Sequence, residues 1–414
     1  SGEIALTNVA STGAAGRALY VRSLTGASLT VLGGTYKNTH GIYINAAIDS
    51  ASSIAIDGAT FGCANALQFD GDLAGPLTLR NVDATGSASV ISLNTVTAAA
   101  VSISGGKLTC TGVSTSYGVF AAAGAVDATS SITLTDVEGA STTSGVLLRS
   151  TVDGKVSLGG CSITSVHNAL ALEVGASATA VVSIESTTLT STALGAILLG
   201  GAFAGSLAVS LSTLTAAANA AVYVVGDLTG TVALRLTTVK VPATEGVRLF
   251  SLTGGQVSIE QGSISSGATA VSVADASDAA SSITIDDVAV SGATKGVHVV
   301  GAFAGTLTIS GGSVASTAGD GITFAAAVAG NVHVNKASVT SSSQHAIAFE
   351  ADLSGGVDIH GASLKGIGGS GVQLETLTGG KVSLSGGTVS GNSAVKINGI
   401  TDGTSTVALS GMTS

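Results

Sequence analysis

Between Gly371 and Ser393 the chain reads GVQLETLTGGKVSLSGGTVSGNS. Similar phrases stand at Gly246–Gly267, GVRLFSLTGGQVSIEQGSISSG, and at Gly296–Thr317, GVHVVGAFAGTLTISGGSVAST. Each opens with an apolar–x–apolar triplet, often after Gly, such as Val372/Leu374, Val247/Leu249 and Val297/Val299. A second triplet follows across a short turn, and a weaker third one closes the phrase, as in GGTVSGN or KASVTSS. Alternation with a period of two marks a strand with one face turned inward. Three short strands per phrase, separated by Gly, Ser and Asn, describe one coil of a solenoid.

Working outward, the first triplet recurs from Leu19/Val21 through Val119/Ala121, Val146/Leu148, Leu170/Leu172 and Ala196/Leu198 to Val395/Ile397. The second runs from Leu29/Val31 through Ile54/Ile56, Leu77/Leu79 and Val101/Ile103 to Val407/Leu409. The spacing averages about 25 residues over about 16 copies, inside the period range of solenoids. The pattern predicts an all-β right-handed parallel β-helix over residues 1–414, a single domain without separate caps. No stretch has the strict six-residue frame of a left-handed helix, and β-sandwich domains would lack a fixed period. Stacking at about 4.8 Å per coil gives an expected rod of roughly 75–80 Å. The coil pattern resembles the right-handed parallel β-helix superfamily, which includes pectin lyase-like enzymes, autotransporter passengers and surface-layer proteins. The resemblance covers the whole chain but rests on coil pattern, with no family-specific motif.

Composition fits this frame. Of 414 residues, 45% are hydrophobic and only 3% aromatic, with no Trp, so the core must be built from Val, Ile, Leu and Ala. Charged residues are 10%, well under the roughly 25% of average soluble domains. The net charge of −10 and the absence of any basic stripe exclude the phosphate-neutralising footprint of a nucleic-acid binder. No apolar run reaches the ~18 residues of a helical membrane span. Cys63, Cys110 and Cys161 are odd in number and lack CxxC spacing, against a disulfide framework or zinc ribbon. Low charge, abundant Ser and Thr and an acidic balance favour an extracellular or cell-surface location.

If coils stack in register, outward residues form columns. Asp57 then falls beside Arg80, and Arg235 beside Glu260, as opposite-charge neighbours. On the first-strand face the reading places Phe120, Leu147, Ala171, Ile197 and Tyr223 outward. Leu199, Val225 and Phe250 form a second outward column, and Tyr20 and Tyr43 point outward nearer the N-terminus. An apolar stripe of this kind marks a lateral interface. At the ends, Ile4, Ala5 and Leu6 correspond to Val407, Ala408 and Leu409, so edges of matching type suit head-to-tail pairing of copies, though such a joint lacks one first-strand rung.

The resemblance implies looking for a groove of clustered carboxylates and basic residues. Glu350 and Glu375 fall on adjacent coils near Gln373 and Lys396, in the manner of a glycosidase carboxylate pair. His333, Asn335, Asp358 and His360 form a two-by-two array in which His333, Asp358 and His360 are candidate metal ligands. His40, His167, His298 and His345 read as isolated. Asp49, Asp127, Asp278 and Asp402, among others, recur after the first strand, where Asp caps turns through nearby backbone N–H groups; no calcium-binding nonapeptide frame accompanies them. Ser and Thr on the second-strand face are too interrupted for a flat ice-matching array. The expected function is structural: a non-enzymatic, cofactor-free extracellular protein that polymerises with copies of itself into a filament, sheath or surface layer. An adhesin-like stalk contacting glycan or cell wall is the alternative, and a carbohydrate-active enzyme the second alternative.

Overall fold

The structure is a computed structural model that describes residues 2–13, 15–112, 118–400 and 402–413. It is all-β, a parallel β-solenoid of about 16 turns with about 25 residues per turn. The coils fall into two compact units, residues 1–207 and 208–414.

In the first unit the second strands stack with Ile4, Leu29, Ile54, Leu77, Val101, Ile132, Val156 and Val182 in one ladder. In the second unit Val232, Val257, Ile283, Leu307, Val332, Val357, Val382 and Val407 do the same. All pairs are parallel, and away from the terminal rungs these side chains are buried. Val, Ile or Leu stands at the equivalent position of every coil, so each inward side chain is packed above and below by an aliphatic neighbour of similar size. Third and first strands share a further sheet, because in some coils one strand runs through the bend, as in Thr60–Phe69, Asp83–Leu93 and Ser363–Leu377. Asp57 lies opposite Arg80 and Arg235 opposite Glu260, as the outward columns require.

Two features complete each coil. The turn between first and second strands carries one inward apolar residue: Leu24, Ile48, Leu73, Val96, Val126 and Val152 bridge in series in the first unit. In the second unit Phe303, Val328 and Leu353 do so, and the Phe303 ring meets Phe324, which stacks on Phe349 at 4.9 Å. The corner between second and third strands holds one residue in the left-handed region, or two where Gly follows Gly. Examples are Gly58, Asn81, Gly105/Gly106, Asp136, Gly160 and Ser186 in the first unit, and Leu236, Gln261, Asp287, Gly311/Gly312, Lys336 and Gly361 in the second. No β-branched residue occupies these corners, where Cβ would crowd the backbone.

The proposed lateral stripe requires correction. Phe120, Ile197 and Leu199 point inward and are fully buried. Phe120 pairs with Ile91 and Val146, and Ile197 with Leu170, all core positions. The inward pairs are therefore Phe120/Ala122 and Ile197/Leu199, one residue away from Val119/Ala121 and Ala196/Leu198. Around both places the chain is apolar at nearly every position, as in VFAAAGAV and ALGAILLGG, so a period of two fits either register. Leu147 does lie in the outward column, but it is buried with Ala121 and Ala171, with Leu198 against them.

Candidate functional site

The first-strand face carries the densest chemistry in both units. In the first unit its outward columns are set by register. Arg17, His40, Asn65 and Ser89 stack in one column, and Tyr20, Tyr43, Gln68 and Ser92 in the next. Arg22, Asn45, Asp70 and Asn94 follow two residues further along the same four coils. Beyond them the face turns apolar at Ala121, Leu147 and Ala171.

These side chains hold one another. The Tyr20 and Tyr43 rings stack with centroids 5.7 Å apart, and the Arg17 guanidinium lies 4.0 Å from the Tyr43 centroid and 4.8 Å from that of Tyr20. His40 meets the Tyr43 ring edge-on at 5.6 Å. The Tyr43 hydroxyl donates to the Asp70 carboxylate, and the Asn45 side-chain oxygen is 3.0 Å from it. Gln68 Nε2 donates to Asp70 Oδ1 at 2.8 Å, Asn65 Nδ2 donates to Gln68 Oε1 at 3.1 Å, and the Ser89 N–H donates to Asn65 Oδ1. Its bond to Asp70, with burial, raises the Tyr43 hydroxyl above the ordinary tyrosine range, so the phenol stays neutral. An open depression of about 450 Å³ is lined by Gly16, Arg17, Tyr20, Thr39 and His40, and a smaller one of about 210 Å³ by residues including Gln68, Asp70, Ser92 and Asn94.

In the second unit the outward column runs Ser272, His298, Thr323, Ala348, Gln373, Lys396. His298 and His345, which read as isolated in sequence, belong to a cluster there. Lys295 Nζ lies 3.2 Å from His298 Nε2 and 3.9 Å from Glu350 Oε1. Burial, then the Lys295 charge, push the His298 imidazole down to about 4, against the pull of Asp320. His298 is therefore neutral near pH 7, and its Nε2 accepts from the ammonium. Buried Asp320 accepts bonds from Thr323 Oγ1 and the His345 N–H, and the His345 Nδ1 accepts the Ser370 N–H at 2.7 Å.

The remaining sequence candidates are placed as follows. Glu350 turns to Lys295, while Glu375 accepts a bond from Asn398; the strand pairing shifts register just past Phe349, beside Glu350. His333 faces Asp358 and Asn335 faces His360, forming the expected array, and His360 Nδ1 sits 3.0 Å from Ser385 Oγ. Among the described residues no three His, Cys, Asp or Glu side chains are grouped to hold a metal ion. Tyr223 stacks under Arg248 at 5.3 Å, Phe250 is 42% exposed, and Val225 is half-buried. Asp49, Asp127, Asp278 and Asp402 cap turns: each accepts a bond from the Ser three residues on, and the first three also accept a backbone N–H from the preceding coil. Cys63, Cys110 and Cys161 are free and buried, and burial raises the thiols of Cys63 and Cys161.

The Arg17–Asp70 cluster escaped sequence reading beyond Tyr20 and Tyr43. Its signal is nonetheless present in GRALYVR, THGIYIN, ANALQFD and ASVISLN, where positions flanking the inward pair are polar or aromatic in four consecutive copies. Fold and face together define a parallel β-solenoid repeat protein. Among the described residues no helix is long and apolar enough to cross a membrane. No protein-family model, no curated protein and no solved structure matches the chain.

Proposed function

We propose that this chain is an extracellular, non-enzymatic binding solenoid that presents its first-strand face to a saccharide surface. The observation that supports this most is the cluster of Arg17, Tyr20, His40, Tyr43, Asn65, Gln68 and Asp70, whose side chains are locked by mutual contacts yet border open depressions. The exposed Tyr20 ring beside planar amides and a carboxylate gives an apolar surface for a sugar face and fixed partners for its hydroxyls. Rigid supporting contacts lower the ordering cost of binding. Against a catalytic role, Glu350 and Glu375 are each engaged by a neighbour, Lys295 and Asn398. The test is binding of purified protein to a panel of neutral and acidic glycans and to cell-wall material. Tyr20→Ala should weaken capture at least tenfold without moving the melting temperature. Absence of saturable binding across the panel would sink this reading.

Self-assembly is a second reading, now without Phe120, Ile197 and Leu199 as lateral contacts. It draws on Ile4 and Leu409, which stand in inward columns of matching strand type that are buried in neighbouring coils. Ala5, Leu6, Val407 and Ala408 continue the same strands. Sedimentation velocity decides it: concentration-dependent polymers that disappear in Ile4→Asp favour end-to-end pairing, and a single monomeric species removes it.

A further inference from the structure

We infer that the first-unit site takes an anionic ligand, one carrying a carboxylate or phosphate that Arg17 binds while the rest of the ligand lies against Tyr20. This rests on the binding-face reading above and adds to it the charge of the ligand.

Among the described residues no carboxylate lies within ion-pair distance of Arg17 or of Arg22. The cation–π contacts orient the Arg17 guanidinium over the two rings without neutralising its charge. The plane is nonetheless fixed, because Tyr43 beneath it is held by Asp70 and edged by His40. A guanidinium anchored on its face keeps its N–H edge free, and that edge matches two oxygens of a carboxylate or phosphate.

The surroundings point the same way. Arg22 lies two residues beyond Tyr20 on the same outward face, so the exposed ring, 48% accessible, is flanked by two guanidinium-bearing positions. His40 lines the same depression as Arg17 and Tyr20. The only carboxylate in the cluster, Asp70, is occupied by Tyr43 and Gln68. Tyr20 supplies the second half of the recognition, an apolar face of the size of a sugar ring.

The experiment is calorimetric titration of the intact chain with glucuronate, glucose 6-phosphate, glucose and inorganic phosphate, at low and at high salt. The expected result is that one or both acidic sugars bind at least tenfold more tightly than glucose and than phosphate alone, and that raised salt erodes the difference. The stronger of the two identifies the source as carboxylate or phosphate. Arg17→Gln should abolish the preference and Arg17→Lys should restore only part of it, with unchanged melting curves for both. Glucose binding as tightly as the acidic sugars overturns this inference and leaves the binding face standing. Phosphate binding as tightly as glucose 6-phosphate overturns the part assigned to Tyr20. No binding of any of the four overturns it together with the small-sugar form of the wider reading, which the glycan panel then tests separately.

Discussion

Leu236 shows how single residues are constrained by the coil. It sits in the left-handed corner with φ of 50° and is 45% exposed, so it carries backbone strain and only partial burial. A non-glycine residue in this region costs roughly 1–2 kcal/mol, part of which glycine returns as unfolded-state entropy. Leu236→Gly should therefore leave stability unchanged or raise it by up to about 1 kcal/mol, and Leu236→Val should lower it, in matched urea melts. His298 makes a second residue-scale case. Its folded-state value of about 4 lies below the unfolded value, so the neutral imidazole's contribution is fully present above about pH 6.5. It is lost progressively as pH falls from there toward 4. An NMR titration should find the midpoint near 4, and Lys295→Met should move it upward by removing the neighbouring charge. A midpoint in the ordinary histidine range in the native protein would contradict the Lys295–His298 contact.

At the scale of the strand, the decisive variable is which of two faces an apolar run presents. Where polar residues alternate with apolar ones, as in SITLT at Ser131–Thr135 or QVSIE at Gln256–Glu260, sequence alone sets the register, and the buried–exposed alternation follows it. Where every position is apolar, as in GVFAA at Gly118–Ala122 and ILL at Ile197–Leu199, it does not. Neighbouring strands then choose, because only one register aligns Phe120 with Ile91 and Val146 in the core. Two substitutions separate the alternatives. Ile197→Lys buries an unpaired charge and should cost about 3–5 kcal/mol or prevent folding. Tyr20→Lys, on an exposed outward position, should change stability by less than about 1 kcal/mol. If Ile197→Lys melted like the parent chain, the inward assignment of that strand would be wrong.

Over the molecule as a whole, stability is a sum of repeated small terms, each coil leaning on its neighbours. The Asp corner caps are one such term and give it a pH dependence. Hydrogen bonds from Ser52, Ser281 and Ser405 hold the carboxyls of Asp49, Asp278 and Asp402 below the usual range. Burial works against this at Asp127, but bonds from Ser130, Ala98 and Thr129 still leave its carboxyl lowered. A lowered carboxyl contributes stability that is present above the unfolded value of about 3.9 and vanishes as pH falls through the folded value. Melting temperature should decline gently below about pH 6.5, as His298 loses its contribution, and then drop steeply below about 4, as the lowered carboxyls lose theirs. Replacing Asp49, Asp278 and Asp402 together by Asn should flatten that acid limb. The buried thiols offer an independent check on the core: Cys63 and Cys161 should react with a thiol reagent only as fast as the fold opens.

What the chain determined by itself was its period, its strand type and its stacking, because an apolar–x–apolar triplet every coil can be buried only if copies lie over one another. The register partners Asp57/Arg80 and Arg235/Glu260 follow from that spacing alone. The corner caps were legible too, since Asp and the Ser three residues on lie within one turn. Only the tertiary structure decided which face Phe120 and Ile197 take, because an all-apolar run carries no period. It alone joined Lys295, His298 and Glu350, and it alone gathered Arg17, Tyr43 and Asp70 into one locked cluster. Apart from Lys295 and His298, which share a strand, those residues are a coil or more apart in sequence, and their meeting depends on side-chain length and direction across stacked strands, which residue spacing does not encode.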